Sequence, residues 1–143
     1  MNKVLLDTDV ILDFFFDRKP YSEDTAKILS LCESHKIKGY VTPVIVSNLY
    51  YLLRKTASHE QVITQLKLLI SITDVLVIDK ATILQAMNSL FKDFEDALQN
   101  YSAETDKTID VILTRNTKDY KESALSIQTP ETFIKTVKDM KRH

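Results

Sequence analysis

Short apolar, β-branched runs punctuate the chain at Val4–Leu6, Tyr40–Thr42, Val75–Ile78, Val111–Thr114 and Leu125–Ile127. Within them nearly every position is apolar, without the in-and-out alternation of a sheet that has one wet face. The segments between repeat at the helical period. Val62, Ile63, Leu66, Leu69 and Ile70 follow i, i+1, i+4, i+7, i+8, and Ile83, Leu84, Met87, Leu90 and Phe91 repeat that spacing. Doubly buried strands alternating with helices predict an α/β fold whose parallel central sheet, of about four to five strands, is covered on both faces. No linker, repeat or low-complexity tract divides the pattern, so 1–143 is read as a single domain. The segment Val44–Leu53 is apolar almost all round, which suits a helix in the core or the interface of a homodimer.

Composition narrows the chemistry. The chain has a single glycine, Gly39, so neither G-x-G-x-x-G nor G-x-x-x-x-G-K-[ST] can be written from it. Dinucleotide and P-loop phosphate cradles are thereby excluded. With 19 Lys+Arg against 20 Asp+Glu the net charge is −1, and no global basic field marks a nucleic-acid binder, although local patches stay open. One cysteine, Cys32, excludes an internal disulfide and sits on an apolar helical face, where a buried, unreactive thiol is expected. No apolar run approaches the ~20 residues of a membrane span and the opening residues lack a leader pattern, so a cytoplasmic protein is expected.

The acids fall unevenly. In LLDTDVIL, Asp7 and Asp9 interrupt an otherwise apolar stretch. A carboxylate beside a core costs several kcal/mol unless it is hydrogen-bonded, paired or coordinated. Asp7 ends the first strand, and ligands of open parallel sheets gather beyond strand carboxyl ends. It is therefore a helix cap or a site residue, with Thr8 as cap or partner; Asp9, Asp13 and Asp17 read as surface or capping acids. Asn116 follows the fourth strand, whereas Asp110 begins it, about 20 Å from Asn116 at the other edge, and is left out. In DFEDALQNYSA, Asp93 is placed as the N-cap of a helix that turns Phe94, Ala97, Leu98 and Tyr101 inward. Asp96 lies in its first turn beside the apolar stripe, where it serves either the helix dipole or a site. Asp79, at the end of the apolar run Val75–Ile78, reads as the cap of the helix that follows it.

Taken in order, VLLDTDVILD, TPVIVSNLYYLLRK, DFEDALQ, DVILTRNTKDY and SIQTPETF resemble the PIN domain, the nuclease family that includes VapC-type toxins. The resemblance implies a three-layer α/β/α fold whose clustered acids hold Mg²⁺ or Mn²⁺ for hydrolysis of RNA phosphodiesters. It assigns Asp7 as a metal ligand and Asp96 as a ligand or as the group orienting the attacking water. Arg115 and Lys118 could hold a substrate phosphate, with Arg54 and Lys55 tracking the strand further out. It also implies RNA as substrate and, for a toxin, an antitoxin partner.

The chain departs from the family pattern at two positions. Asn48 stands where a glutamate is usual, and no Asp or Glu occurs from Tyr40 to Ser58 to replace it. Asn116 occupies the fourth acidic position, for which Asp119 is the nearby alternative. An amide oxygen brings a dipole rather than a full charge to a cation. A metal-dependent ribonuclease is thus the leading expectation. Beside it stand a catalytically weak or inactive PIN module that binds RNA or a protein, and a small-molecule phosphatase with Asp7 as nucleophile.

Overall fold

A computed structural model of the chain describes residues 2–141. Its elements run β1 (Asn2–Leu6), α1 (Thr8–Phe15), α2 (Tyr21–Glu33), β2 (Ile37–Val41), α3 (Pro43–Leu53), α4 (His59–Ile72), β3 (Thr73–Val75), α5 (Lys80–Met87), α6 (Phe94–Asp106), β4 (Val111–Leu113), β5 (Ser126–Gln128) and α7 (Pro130–Lys141), with a 3-10 turn at Thr117–Tyr120. The five strands form one sheet in the order β3-β2-β1-β4-β5, every pairing parallel. All of Val4–Leu6 and Val111–Leu113 are buried, as a sheet covered on both faces in an α/β/α arrangement requires.

The order has a functional consequence. From β1 the chain proceeds outward through β2 and β3, then returns to β1's other side for β4 and β5. The direction of winding reverses between β1 and β4, where the connections leaving the two strands diverge and open a crevice. Leu6 pairs with Leu113, so Asp7 and Thr114 emerge side by side at that carboxyl edge. Asp110 sits at the opposite edge, as expected, accepting from the Lys3 N–H at 2.7 Å.

Two apolar patterns resolve differently from the expectation. Pairing of the third strand begins at Thr73, directly after α4, and Leu76 makes a last backbone bond to the Val41 carbonyl at 2.8 Å. The chain then leaves the sheet, so that Val77, expected in the strand, is 75% exposed. The stripe from Ile83 to Phe91 does not bury as one face: α5 stops at Met87 and lies chiefly against α6, with Thr82 and Ala86 inward and Leu84, Met87 and Leu90 in solvent. Phe94 is likewise half-exposed rather than inward, while Ala97 and Leu98 are buried. In α3, Ile45, Leu49 and Leu53 enter the core and Tyr51 faces out. Cys32 is buried and its thiol pushed up to about 11 by desolvation, which leaves it inert near neutrality. No helix among the described residues is long and apolar enough to cross a membrane.

Candidate active site

Asp7 answers both readings of its sequence position. It is the N-cap of α1, accepting from the Thr8 N–H at 2.8 Å. Its second oxygen accepts from the Thr114 hydroxyl at 3.0 Å and the Tyr120 hydroxyl at 3.1 Å. Three donors stabilise the carboxylate, yet burial wins: its pKa is raised to about 6, first by desolvation and then by repulsion from Asp9. Asp96 comes from the first turn of α6, whose N-cap Asp93 accepts the Asp96 N–H at 2.9 Å. Its pKa is raised to about 7 by burial and by the charges of Asp7, Asp93 and Asp119, with the Tyr120 hydroxyl pulling the other way. Tyr120 therefore stands between the two acids. Buried and facing both charges, the phenol is raised far above its ordinary range and stays protonated as a donor.

Asp7 and Asp96 line a cavity of about 480 Å³ together with Asp9, Glu95, Asn48, Gln99 and Asn116. Asp9, expected on the surface, is only partly exposed here; it accepts from the Arg115 N–H at 3.1 Å and the Asn116 side-chain amide at 3.2 Å. Desolvation raises its pKa as well. Glu95 escapes a reading confined to the neighbourhood of Asn48 in the chain. It reaches Asn48 from α6, accepting the Asn48 amide N–H at 3.0 Å, so a carboxylate stands beside the position where the family pattern has one. Tyr120 was missed too, because a tyrosine in KDY gives no sequence signal that its hydroxyl turns inward.

Other expected residues lie elsewhere. Arg115, expected at a substrate phosphate, instead holds both oxygens of Asp13, through Nε at 2.6 Å and Nη2 at 3.1 Å, with its guanidinium 4.1 Å from the Tyr21 ring. The reason is Asp13, expected at the surface but fully buried on α1, whose charge demands a paired partner. Lys118 and Asp119 open onto a neighbouring cleft with Lys92, Asp93 and Lys121, although Asp119 remains near enough to Asp96 to repel it. Arg54 ends α3, roughly 18 Å along the axis from its site-proximal N-cap Thr42, and donates to the Ala57 carbonyl at 2.9 Å.

The donor set suits a hard cation. Carboxylate and amide oxygens predominate, and Asp9 Oδ1 is buried without a hydrogen-bond partner. Among the described residues no three His, Cys, Asp or Glu side chains form a ready-made metal cage. Mg²⁺ requires none, since it is commonly held by one or two carboxylates while keeping several waters. Asp7 and Asp96 fit that role.

Comparison with known proteins agrees with the fold. A family model described as PIN domain matches residues 3–118. Ribonuclease VapC1 from Aquifex aeolicus (strain VF5) is 23% identical over 136 residues, covering 92% of each chain. Among solved structures, VapBC-1 from nontypeable Haemophilus influenzae aligns with a TM-score of 0.68 at 20% identity, over 90% of this chain and 98% of that one. DNA-bound VapBC from Salmonella typhimurium aligns with a TM-score of 0.67 at 18% identity, over 91% and 99%. With the family match spanning most of the sequence and the acids converging at the β1/β4 edge, the chain belongs to the PIN domain family.

Proposed function

We propose that this protein is a divalent-metal-dependent endoribonuclease and the toxin of a toxin–antitoxin pair. The observation that carries the reading is the meeting of Asp7 and Asp96 on either side of Tyr120 within one acid-lined cavity. Support for RNA as substrate comes from the relative named Ribonuclease VapC1, and for an antitoxin from the VapBC complexes that share the fold.

In this reading Asp7 and Asp96 hold Mg²⁺ or Mn²⁺, and Glu95, steadied by Asn48, adds a third carboxylate from α6. A bound divalent cation supplies Lewis-acid stabilisation of the charge that develops on the phosphoryl oxygens. Asp96, the more open of the two, orients the attacking water. Tyr120 keeps Asp7 in place by donating its one hydroxyl hydrogen to it. Asn116 fixes Asp9 by donating to it, and the lysines of the neighbouring cleft draw the strand past Asp119. The antitoxin covers part of the apolar surface left by Val77, Leu84, Met87 and Leu90, which a solvated monomer gains nothing from exposing.

The test is cleavage of single-stranded and structured RNA with Mg²⁺ or Mn²⁺. Asp7→Asn and Asp96→Asn should each lower the rate by about 10²-fold or more, since each removes a charge from the reacting centre. Equal rates in all three proteins would remove the proposal. Asn48 and Asn116 favour a second reading, a PIN module that binds RNA without turning it over; binding without cleavage under either metal would support it.

A further inference from the structure

Four carboxylates line the cavity, those of Asp7, Asp9, Glu95 and Asp96, and a polyanionic strand cannot settle among them unaided. With Arg115 bound to Asp13 and Lys118 in the neighbouring cleft, one basic side chain lines this cavity among the described residues. It is Arg18.

Arg18 lies in the turn between α1 and α2, and its backbone is fixed at both ends. Its N–H donates to the Asp13 carbonyl at 2.9 Å, and its carbonyl accepts the Ser22 N–H at 2.8 Å. The preceding Asp17 takes a left-handed conformation, φ 49°, and accepts the Ser22 hydroxyl at 2.8 Å. The side chain is held far less firmly. Its guanidinium stands 5.1 Å from the Phe16 ring and 3.5 Å from Asp13 Oδ1, and the side chain is 43% exposed. A charge-assisted N–H···O bond is ordinarily about 2.7–2.9 Å. Asp13 already receives the Arg115 fork at 2.6 and 3.1 Å, so its charge is met without Arg18. The arrangement leaves a guanidinium on a rigid stem at the mouth of an acidic cavity, with donors to spare.

We propose that Arg18 grips a phosphate of the RNA strand entering the cavity, as a substrate-positioning residue. The inference rests on the ribonuclease reading and adds the contact that lets an anionic substrate approach the acids. The planar fork of an arginine fits two phosphate oxygens at once, which a lysine ammonium does not. The partner is the strand's backbone, so the contact is independent of base identity.

The experiment measures binding of a short single-stranded RNA by fluorescence anisotropy across a KCl series. The protein carries Asp96→Asn so that the RNA survives. Arg18→Gln is expected to weaken binding about 5–10-fold and to lower the slope of log K against log salt by about 0.7, the loss of one phosphate contact to a single strand. Arg18→Lys should restore the slope while leaving part of the affinity lost. In the otherwise wild-type enzyme, Arg18→Gln should raise KM with kcat little changed, and Mn²⁺ affinity measured without RNA should not fall. A merely structural arginine would move the unfolding midpoint and leave the salt slope alone. RNA binding with an unchanged slope in Arg18→Gln overturns the assignment while leaving the ribonuclease reading intact. Failure of the parent protein either to bind or to cleave RNA overturns both.

Discussion

Asp7 has three hydrogen-bond donors and an elevated pKa at once, which says that its burial and like-charged neighbours outweigh its partners. Folded, it binds a proton with a pKa of about 6, against an ordinary value of 3.8. The folded state therefore carries more protons than the unfolded one between those values. Its contribution to stability is fully present below about pH 4 and is lost as pH rises through 6. Asp96, raised to about 7, adds a shift of the same sign that solvent partly screens. In metal-free buffer Asp7→Asn should thus be more stable than wild type at pH 8, on the order of 3 kcal/mol, with the gap closing towards pH 4. Urea unfolding across that range reads this directly; a variant less stable than wild type throughout would show that the carboxylate's hydrogen bonds outweigh its burial. At this scale Asp7 and Asp96 are legible in the chain, one by its place after a strand and the other by its cap spacing. Asp13, Glu95 and Tyr120 are not, because each acquires its meaning from a partner far away in sequence.

Between elements, the one glycine records a close approach. A Cβ at Gly39 on β2 would lie 2.7 Å from Cys32 Sγ on α2, with Thr73 Cγ2 at 3.4 Å and Leu6 Cδ1 at 3.5 Å. The helix can therefore sit close on the sheet only because β2 has no side chain there. Gly39→Ala should cost about 1–3 kcal/mol through overpacking. Adding Cys32→Ala removes the sulfur, so the same glycine substitution should then cost less than about 1 kcal/mol. A double-mutant cycle on urea midpoints checks the coupling, and additive costs would place the strain elsewhere. Element types were readable from hydrophobic period, but edges were not. Thr42 closes the apolar run Tyr40–Thr42 yet serves as the N-cap of α3, donating its hydroxyl to Gln99 of α6 at 2.5 Å. The exposure of Leu84 and Met87 was hidden for a related reason: periodicity shows which residues share a face, not whether another element covers it.

For the molecule as a whole, the sheet order places the acids at the winding reversal, and the proposed function requires the folded state to bind a cation there. A cation that binds only the folded form stabilises it by mass action. Mn²⁺ at a hundredfold excess over its Kd should raise folding stability by about 2.7 kcal/mol. Thermal unfolding at neutral pH, repeated with Asp7→Asn, should show that gain in wild type and most of it missing in the variant. An equal gain in both proteins would mean that the ion binds away from this cavity.

Tyr120 offers a way to watch this happen. The chain has six tyrosines and no tryptophan, so its ultraviolet emission comes from phenols alone. The ring of Tyr120 is buried, and its hydroxyl donates to the Asp7 carboxylate, an arrangement in which the nearby anion quenches the excited phenol. Any ion that draws electron density from that carboxylate should brighten the ring, making an unlabelled protein its own optical gauge of occupancy, silent once Tyr120 is replaced by phenylalanine.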